Sequence, residues 1–162
     1  MTILYIHGLN GSLSQEKLDI LETYGNVLSP SIDYNNNVNS IIDLHSSHQQ
    51  TAINVIIGSS MGGFAAYHLS KLYKLPCLIF NPALAQRSVH QLIPETPKSS
   101  ENLTHIVLGS KDPIVQPKGT LEFLGNLLYQ PQDYTISIRH DLAHRIPLSV
   151  FKEEVSKFME KL

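Results

Sequence analysis

Along the chain, short runs of consecutive apolar residues alternate with stretches whose apolar positions recur every three or four residues. The runs predict strands over Thr2–Ile6, Asn26–Leu28, Ile53–Ile57, Cys77–Phe80, His105–Leu108 and Tyr134–Ile138. Several are apolar at successive positions, the pattern of strands covered on both faces. Between them, Ser12–Tyr24 carries Leu18, Leu21 and Tyr24 on one side, and Val38–Gln50 carries Ile41, Ile42 and Leu44. After Ser60, the positions Ala65, Leu69, Leu72 and Tyr73 keep helical spacing. Pro117 opens a helix with Leu121, Leu124 and Leu128, and Pro147 opens the last, with Phe151, Val155, Phe158 and Leu162 on one stripe.

Strands that alternate with helices imply βαβ units and a parallel sheet, and right-handed crossovers put helices on both of its faces. The expectation is an α/β fold: a three-layer sandwich around a mainly parallel six-stranded sheet, in one domain over residues 1–162. The strand order taken for it is 2-1-3-4-5-6. Strands 1 and 3 are then neighbours where the winding reverses, and ligands bind at the carboxyl ends of strands at such a point. Ser31–Ser40, with Asn35-Asn36-Asn37, reads as a polar turn. Asn81–Asn102, with Pro82, Pro94 and Pro97, reads as a long loop with at most one helical turn, too short for a large lid.

Composition narrows the partners. The chain has 162 residues, 42% of them hydrophobic and 16% charged, enough for a real core. The net charge is -2 and Lys and Arg form no strong cluster, which argues against nucleic acid and against an anionic membrane surface. No stretch approaches the roughly 18 apolar residues of a membrane span, and the first apolar run is too short for a signal peptide. A cytoplasmic protein is the expectation. The single cysteine, Cys77, excludes an internal disulfide and sits in a strand run, where burial is expected.

The chemistry concentrates at Gly58-Ser59-Ser60-Met61-Gly62. This run lies where an apolar strand gives way to helical spacing. A sharp strand-to-helix elbow lifts its central side chain above the sheet and needs small flanking residues. Ser60 has glycine two residues before and two after, whereas Ser59 has Ile57 and Met61. Ser60 is therefore the candidate nucleophile. The competing interpretation is a glycine-rich turn that packs, or that binds phosphate at a helix N-terminus.

A serine hydroxyl needs a base, the base needs an orienting acid, and the oxyanion needs backbone donors. Asp112 follows the fifth strand in Gly109-Ser110-Lys111-Asp112-Pro113 and is the candidate acid, although an Asp-Pro pair also initiates turns. Asp133 and Asp141 are weaker alternatives. The candidate base is His144, after the last strand, with His140 as its competitor. The order Ser60, Asp112, His144 is the chain order of α/β-hydrolases. The oxyanion donors expected are the backbone N–H groups of Met61 and Leu9, with His7 orienting the Leu9 loop. His45 and His48 stand three apart with no further ligand to complete a set, so no metal site is expected. No nucleotide-binding glycine motif is present in the sequence.

The segment Ile3-Leu4-Tyr5-Ile6-His7-Gly8-Leu9-Asn10-Gly11-Ser12 resembles the opening of small YqiA-like esterases of the α/β-hydrolase superfamily. Gly58-Ser59-Ser60-Met61-Gly62-Gly63-Phe64-Ala65-Ala66 looks like their nucleophile elbow, and Asn81-Pro82-Ala83 like a segment after their next strand. Gly109-Ser110-Lys111-Asp112 and Asp141-Leu142-Ala143-His144-Arg145 stand where that family has its acid and base. One departure is that Asp141 and Leu142 occupy places where the family usually has glycines before the base. The resemblance spans nearly the whole chain and implies an esterase acting on short acyl esters or thioesters.

The expected function is hydrolysis of small or short-chain acyl esters through an acyl-Ser60 intermediate, with no cofactor. Leu84, Val89, Leu92 and Ile93 of the long loop are the expected lining of a small acyl pocket, unless they only pack the loop down. An acyl-CoA thioesterase or peptidase on the same residues, or a catalytically silent binding protein on a hydrolase fold, are the alternatives. The oligomeric state stays open.

Overall fold

Consecutive apolar residues give a strand two faces to bury, and the strands here use both. The computed structural model describes residues 1–97, 100–128 and 132–162. Its elements are β1 (Thr2–Ile6), α1 (Gln15–Glu22), β2 (Asn26–Leu28), α2 (Ser40–His48), β3 (Val55–Ser59), α3 (Met61–Tyr73), β4 (Cys77–Phe80), β5 (Ser100–Gly109), α4 (Pro117–Gly125), β6 (Gln132–Arg139) and α5 (Leu148–Met159). All neighbouring strands are parallel, in the order β2-β1-β3-β4-β5-β6. This is the expected order, and the winding reverses between β1 and β3.

Period-two alternation divides the core into two halves. Leu4, Ile6, Ile56, Ile79 and Ile106 point to the face covered by α2, α3 and α4. Ile3, Tyr5, Ile57, Phe80 and Val107 point to the other face, where α1 and α5 pack together. Each such side chain contributes about 1.5–3 kcal/mol on burial, so both helix layers are held by the sheet. The α5 stripe of Phe151, Val155 and Phe158 is fully buried, as its spacing predicts. Leu162 lies beyond that helix and is exposed; Leu128 likewise lies beyond α4 and is exposed.

Three strands differ from the sequence expectation at their ends. β3 begins at Val55 rather than Ile53, because Ile3 pairs with Val55 and the ladder starts there. Asn54 instead brackets Thr2: its amide donates to the Thr2 carbonyl and its side chain accepts from the Thr2 amide. β5 and β6 are both longer than predicted, because they pair with each other from Ser100 and Gln132 onward, past the end of β4. The expected loop Asn81–Asn102 therefore ends where β5 starts, and its residues 98 and 99 lie outside the described residues. Its described part holds no helical turn. Gln91 pins it down instead, donating to the carbonyls of Tyr34 (2.9 Å) and Asn37 (3.0 Å) in the polar turn.

Among the described residues, no helix is long and apolar enough to cross a membrane.

The start of α3 packs closely on the end of β1. A Cβ on Gly62 would overlap the carbonyl oxygens of Ile6 and His7, which are backbone atoms and cannot swing aside. Gly62→Ala should cost about 3 kcal/mol of stability, the upper end of overpacking penalties. Gly125, at the end of α4 with nothing within 4 Å of an added Cβ, is the control. Gly125→Ala should gain about 0.5 kcal/mol from helix propensity. Urea midpoints of the two variants check both signs.

Candidate active site

The elbow is strained as expected. Ser60 has φ 54° and ψ -119°, in the half of backbone space that L-residues rarely adopt. Its amide donates to the Phe80 carbonyl at 2.9 Å, and its carbonyl accepts from Phe64 and Ala83 at 3.0 Å each. Those three bonds tie the elbow to α3 and to the end of β4. Gly8 approaches from the β1 side: an added Cβ would stand 3.2 Å from the Ser60 Cβ and 3.8 Å from its Oγ. The neighbouring Ser59 side chain turns to the other face of the sheet, towards the Tyr5 phenol, whose pKa burial raises.

Asp112 is buried, with a side chain fully removed from solvent. It serves as turn initiator and as partner of a histidine, one oxygen for each. Oδ1 accepts from the amides of Ile114 (2.8 Å) and Val115 (2.9 Å), and Oδ2 lies 2.8 Å from His144 Nδ1. With Nδ1–H donating to the carboxylate, His144 Nε2 carries the lone pair. Of the two candidate histidines, His144 meets the acid. His140 is exposed and pairs with Ser110 at 3.2 Å. Asp141 is engaged elsewhere, accepting two bonds from Arg139 that hold its carboxyl down at about 2. Asp133 lies in β6, where its backbone pairs with Leu103 of β5.

Met61 is the first residue of α3, so its amide has no acceptor inside the helix and stands at the positive end of the helix dipole. The Leu9 loop is shaped by Asn10 at φ 53° and by a bond from the Gly11 amide to the Gly8 carbonyl at 3.1 Å. His7 clamps it. The Ile32 amide donates to His7 Nε2 at 2.9 Å, so Nδ1 carries the proton and donates to the Gly8 carbonyl at 2.7 Å. Tyr34 Oη donates to the His7 carbonyl at 3.0 Å. His7 thereby spends one ring nitrogen on the Gly8 carbonyl of the loop and the other on the Ile32 amide.

Sequence reasoning did not single out Asn81, which joins three loops at one point. It is buried, at φ 42° directly after β4. Its Oδ1 accepts from the Gly109 amide at 2.7 Å, and its Nδ2 donates to the carbonyls of Ala143 (2.8 Å) and His144 (3.4 Å). The loops that carry Asp112 and His144 are thus fixed to the end of β4. The available signal was an Asn-Pro pair at a strand end, since asparagine tolerates left-handed backbone. The His144 loop has two further anchors. Leu142 is fully buried against Gly109, and Arg139 bridges Asp141 to Glu153 and Glu154 of α5.

Ser60, Met61, Leu9 and His144 line one cleft of about 530 Å³. Ile114 and Val115 form its apolar wall, and Gln86, Arg87 and Ser88 its polar one. The expected acyl-pocket residues are not among them. Leu84 is buried in the core, Val89 packs against that core, and Leu92 and Ile93 are exposed. The loop folds its apolar side chain at Leu84 inward, which leaves the next polar residues facing the cleft. Elsewhere, His45 pairs with Tyr73 and His48 with the Leu44 carbonyl. Among the described residues no group of His, Cys, Asp or Glu is arranged to hold a metal ion. Burial pushes the Cys77 thiol up to about 12.

Solved structures share this architecture at low sequence identity. SOBER1 from Arabidopsis thaliana matches with a TM-score of 0.69 at 16% identity, covering 99% of this chain and 98% of that one. A Bacillus cereus carboxylesterase matches with a TM-score of 0.68 at 16% identity, covering 99% and 88%. Mouse alpha/beta hydrolase domain-containing protein 10 matches with a TM-score of 0.70 at 14% identity, covering 99% and 90%. These likenesses show the fold, that of the α/β-hydrolases. No curated protein matches the sequence. The model of the uncharacterised protein family UPF0227 matches residues 2–143, and the chain belongs to that YqiA-like family.

Proposed function

We propose that the chain is a serine esterase, one α/β-hydrolase domain that cleaves small acyl esters through an acyl-Ser60 intermediate. The observation that carries this reading is the 2.8 Å contact between His144 Nδ1 and the buried Asp112 carboxylate, in a histidine that shares a cleft with Ser60. A carboxylate on Nδ1 fixes the tautomer that leaves Nε2 basic and stabilises the imidazolium that forms.

In the first half-reaction His144 Nε2 takes the Ser60 hydroxyl proton as Oγ attacks the ester carbonyl carbon. The carbonyl oxygen becomes an oxyanion and is met by the amides of Met61 and Leu9. Its collapse breaks the bond to the alcohol oxygen, which leaves with the proton from Nε2. In the second half-reaction His144 takes a proton from water, the hydroxide attacks acyl-Ser60, and the acid departs as Oγ recovers its proton. Each step balances within these residues, the ester and one water. The open cleft of about 530 Å³ suits a small ester.

Hydrolysis of 4-nitrophenyl hexanoate by single variants checks the assignment. Ser60→Ala and His144→Ala should each lose at least about a thousandfold in kcat, as expected for residues that act as a unit. His140→Ala should stay within a few fold of wild type. A crippled His140→Ala beside a mild His144→Ala would move the base to His140.

Asn81 enters as a positioning residue. Asn81→Ala leaves the Gly109 amide and the Ala143 carbonyl unpaired where water does not reach easily, a stability cost of about 2–3 kcal/mol. It should also lower kcat more than it raises KM, because the His144 loop loses its anchor. Asn81→Gly removes the same bonds but relieves the left-handed backbone, and should recover about 1 kcal/mol of stability without recovering kcat. A return of kcat with stability would show a purely structural role.

A further inference from the structure

The cleft beside Ser60 has a one-sided charge pattern. Arg87 is its single permanently charged lining residue among the described residues, and no Asp or Glu lines it. Of the chain's three arginines, Arg145 is exposed on the loop after His144, and the other two make a contrast. Arg139 is wrapped by Asp141, Glu153 and Glu154, all within 3.0 Å. Arg87 pairs with no carboxylate among the described residues.

Arg87 is nevertheless held in place. Its Cζ stands 3.9 Å over the centre of the Phe64 ring. Its Nη1 donates to the carbonyls of Leu84 (3.0 Å) and Ala83 (3.3 Å). Stacking and carbonyl anchoring fix the planar group, so less side-chain entropy is lost when a ligand binds it. The Nε and Nη2 donors make no bond among the described residues. Partial burial lowers the pKa of this guanidinium, as for a cation without a compensating anion. The positive field also reaches His68 behind Phe64, which burial first, then Lys71 and Arg87, push down to about 4. The amino end of α3 at Met61 adds potential of the same sign.

From this geometry we propose that Arg87 recognises a carboxylate carried by the substrate, so that the enzyme's esters are anionic. This rests on the esterase reading and narrows it to a substrate class. A guanidinium presents a planar fork of donors that matches a carboxylate, and this one has donors to spare.

The test is a charge series of 4-nitrophenyl esters of equal acyl length: the adipate monoester (anionic), its methyl ester (neutral) and the 6-aminohexanoate (cationic). A second anionic ester, 3-carboxy-4-nitrophenyl hexanoate, carries the carboxylate on the leaving group. In wild type at low salt, kcat/KM for one or both anionic esters should exceed the neutral one at least tenfold, with the cationic ester lowest. The gain should lie mainly in KM. Arg87→Met, which keeps the packing on Phe64, should erase most of the ratio, and Arg87→Glu should invert the order of anionic and cationic esters. A wild type blind to charge, or an order that survives in Arg87→Glu, overturns the proposal. Titration of wild type with hexanoate, followed at the Arg87 Nε–H resonance, reads the same site without turnover. A saturable shift is expected, and its absence also counts against the proposal. Loss of Ser60-dependent hydrolysis for every ester would instead overturn the esterase reading, while the titration still decides the anion site.

Discussion

The backbone of Ser60 is the constraint on which the site depends. An L-residue at φ 54° costs about 1–3 kcal/mol and persists only where its surroundings over-determine it. Here they do. The amide and carbonyl of Ser60 are bonded to Phe80, Phe64 and Ala83, and Gly62 lets α3 press against the end of β1. The strain is therefore supported by two helix layers and a sheet, whose burial energies exceed it many times over. Its effect is to hold one hydroxyl above the strand ends, beside the free amide of a helix start.

Around that point, polar groups of the loops satisfy one another. Asp112 divides its oxygens between two amides and His144, and Asn81 joins the ends of β4 and β5 to the loop after β6. His7 ties the loop that carries Leu9 to the Ile32 amide, with one ring nitrogen on each side. A buried polar group left unpaired costs more than a made bond gains, so such networks favour one arrangement strongly. Arg87 is the exception at the rim, a fixed cation with unspent donors, and an unpaired charge at the mouth of a cleft is a place for a ligand.

Much of the layout was legible in the sequence. Parallel strands buried on both faces read as apolar runs, so β1, β2 and β4 were predicted with their observed ends. The elbow was legible because few strand–helix junctions place glycine on both sides of a serine, and Ser59 was separable from Ser60 on that spacing. Boundaries failed where pairing rather than composition decides them, as at β3, β5 and β6. The acyl-pocket residues were misjudged for a related reason. Apolar residues of a loop are ambiguous between packing inward and lining a cleft, and Leu84 took the first course. Asn81 went unassigned because its three contacts come from residues 28 and 62–63 positions away, which no local pattern reveals. Arg87 was invisible for the same reason, since only the folded chain sets it over Phe64 and inside the cleft.

The proposed chemistry turns on acylation of Ser60. Labelling with a fluorophosphonate, followed by peptide mapping by mass spectrometry, tests it most directly, because the adduct is stable and its position is read to the residue. One adduct per chain on Ser60, absent in Ser60→Ala, is the predicted result. An adduct on Ser59 or elsewhere, or labelling that persists in Ser60→Ala, would contradict it.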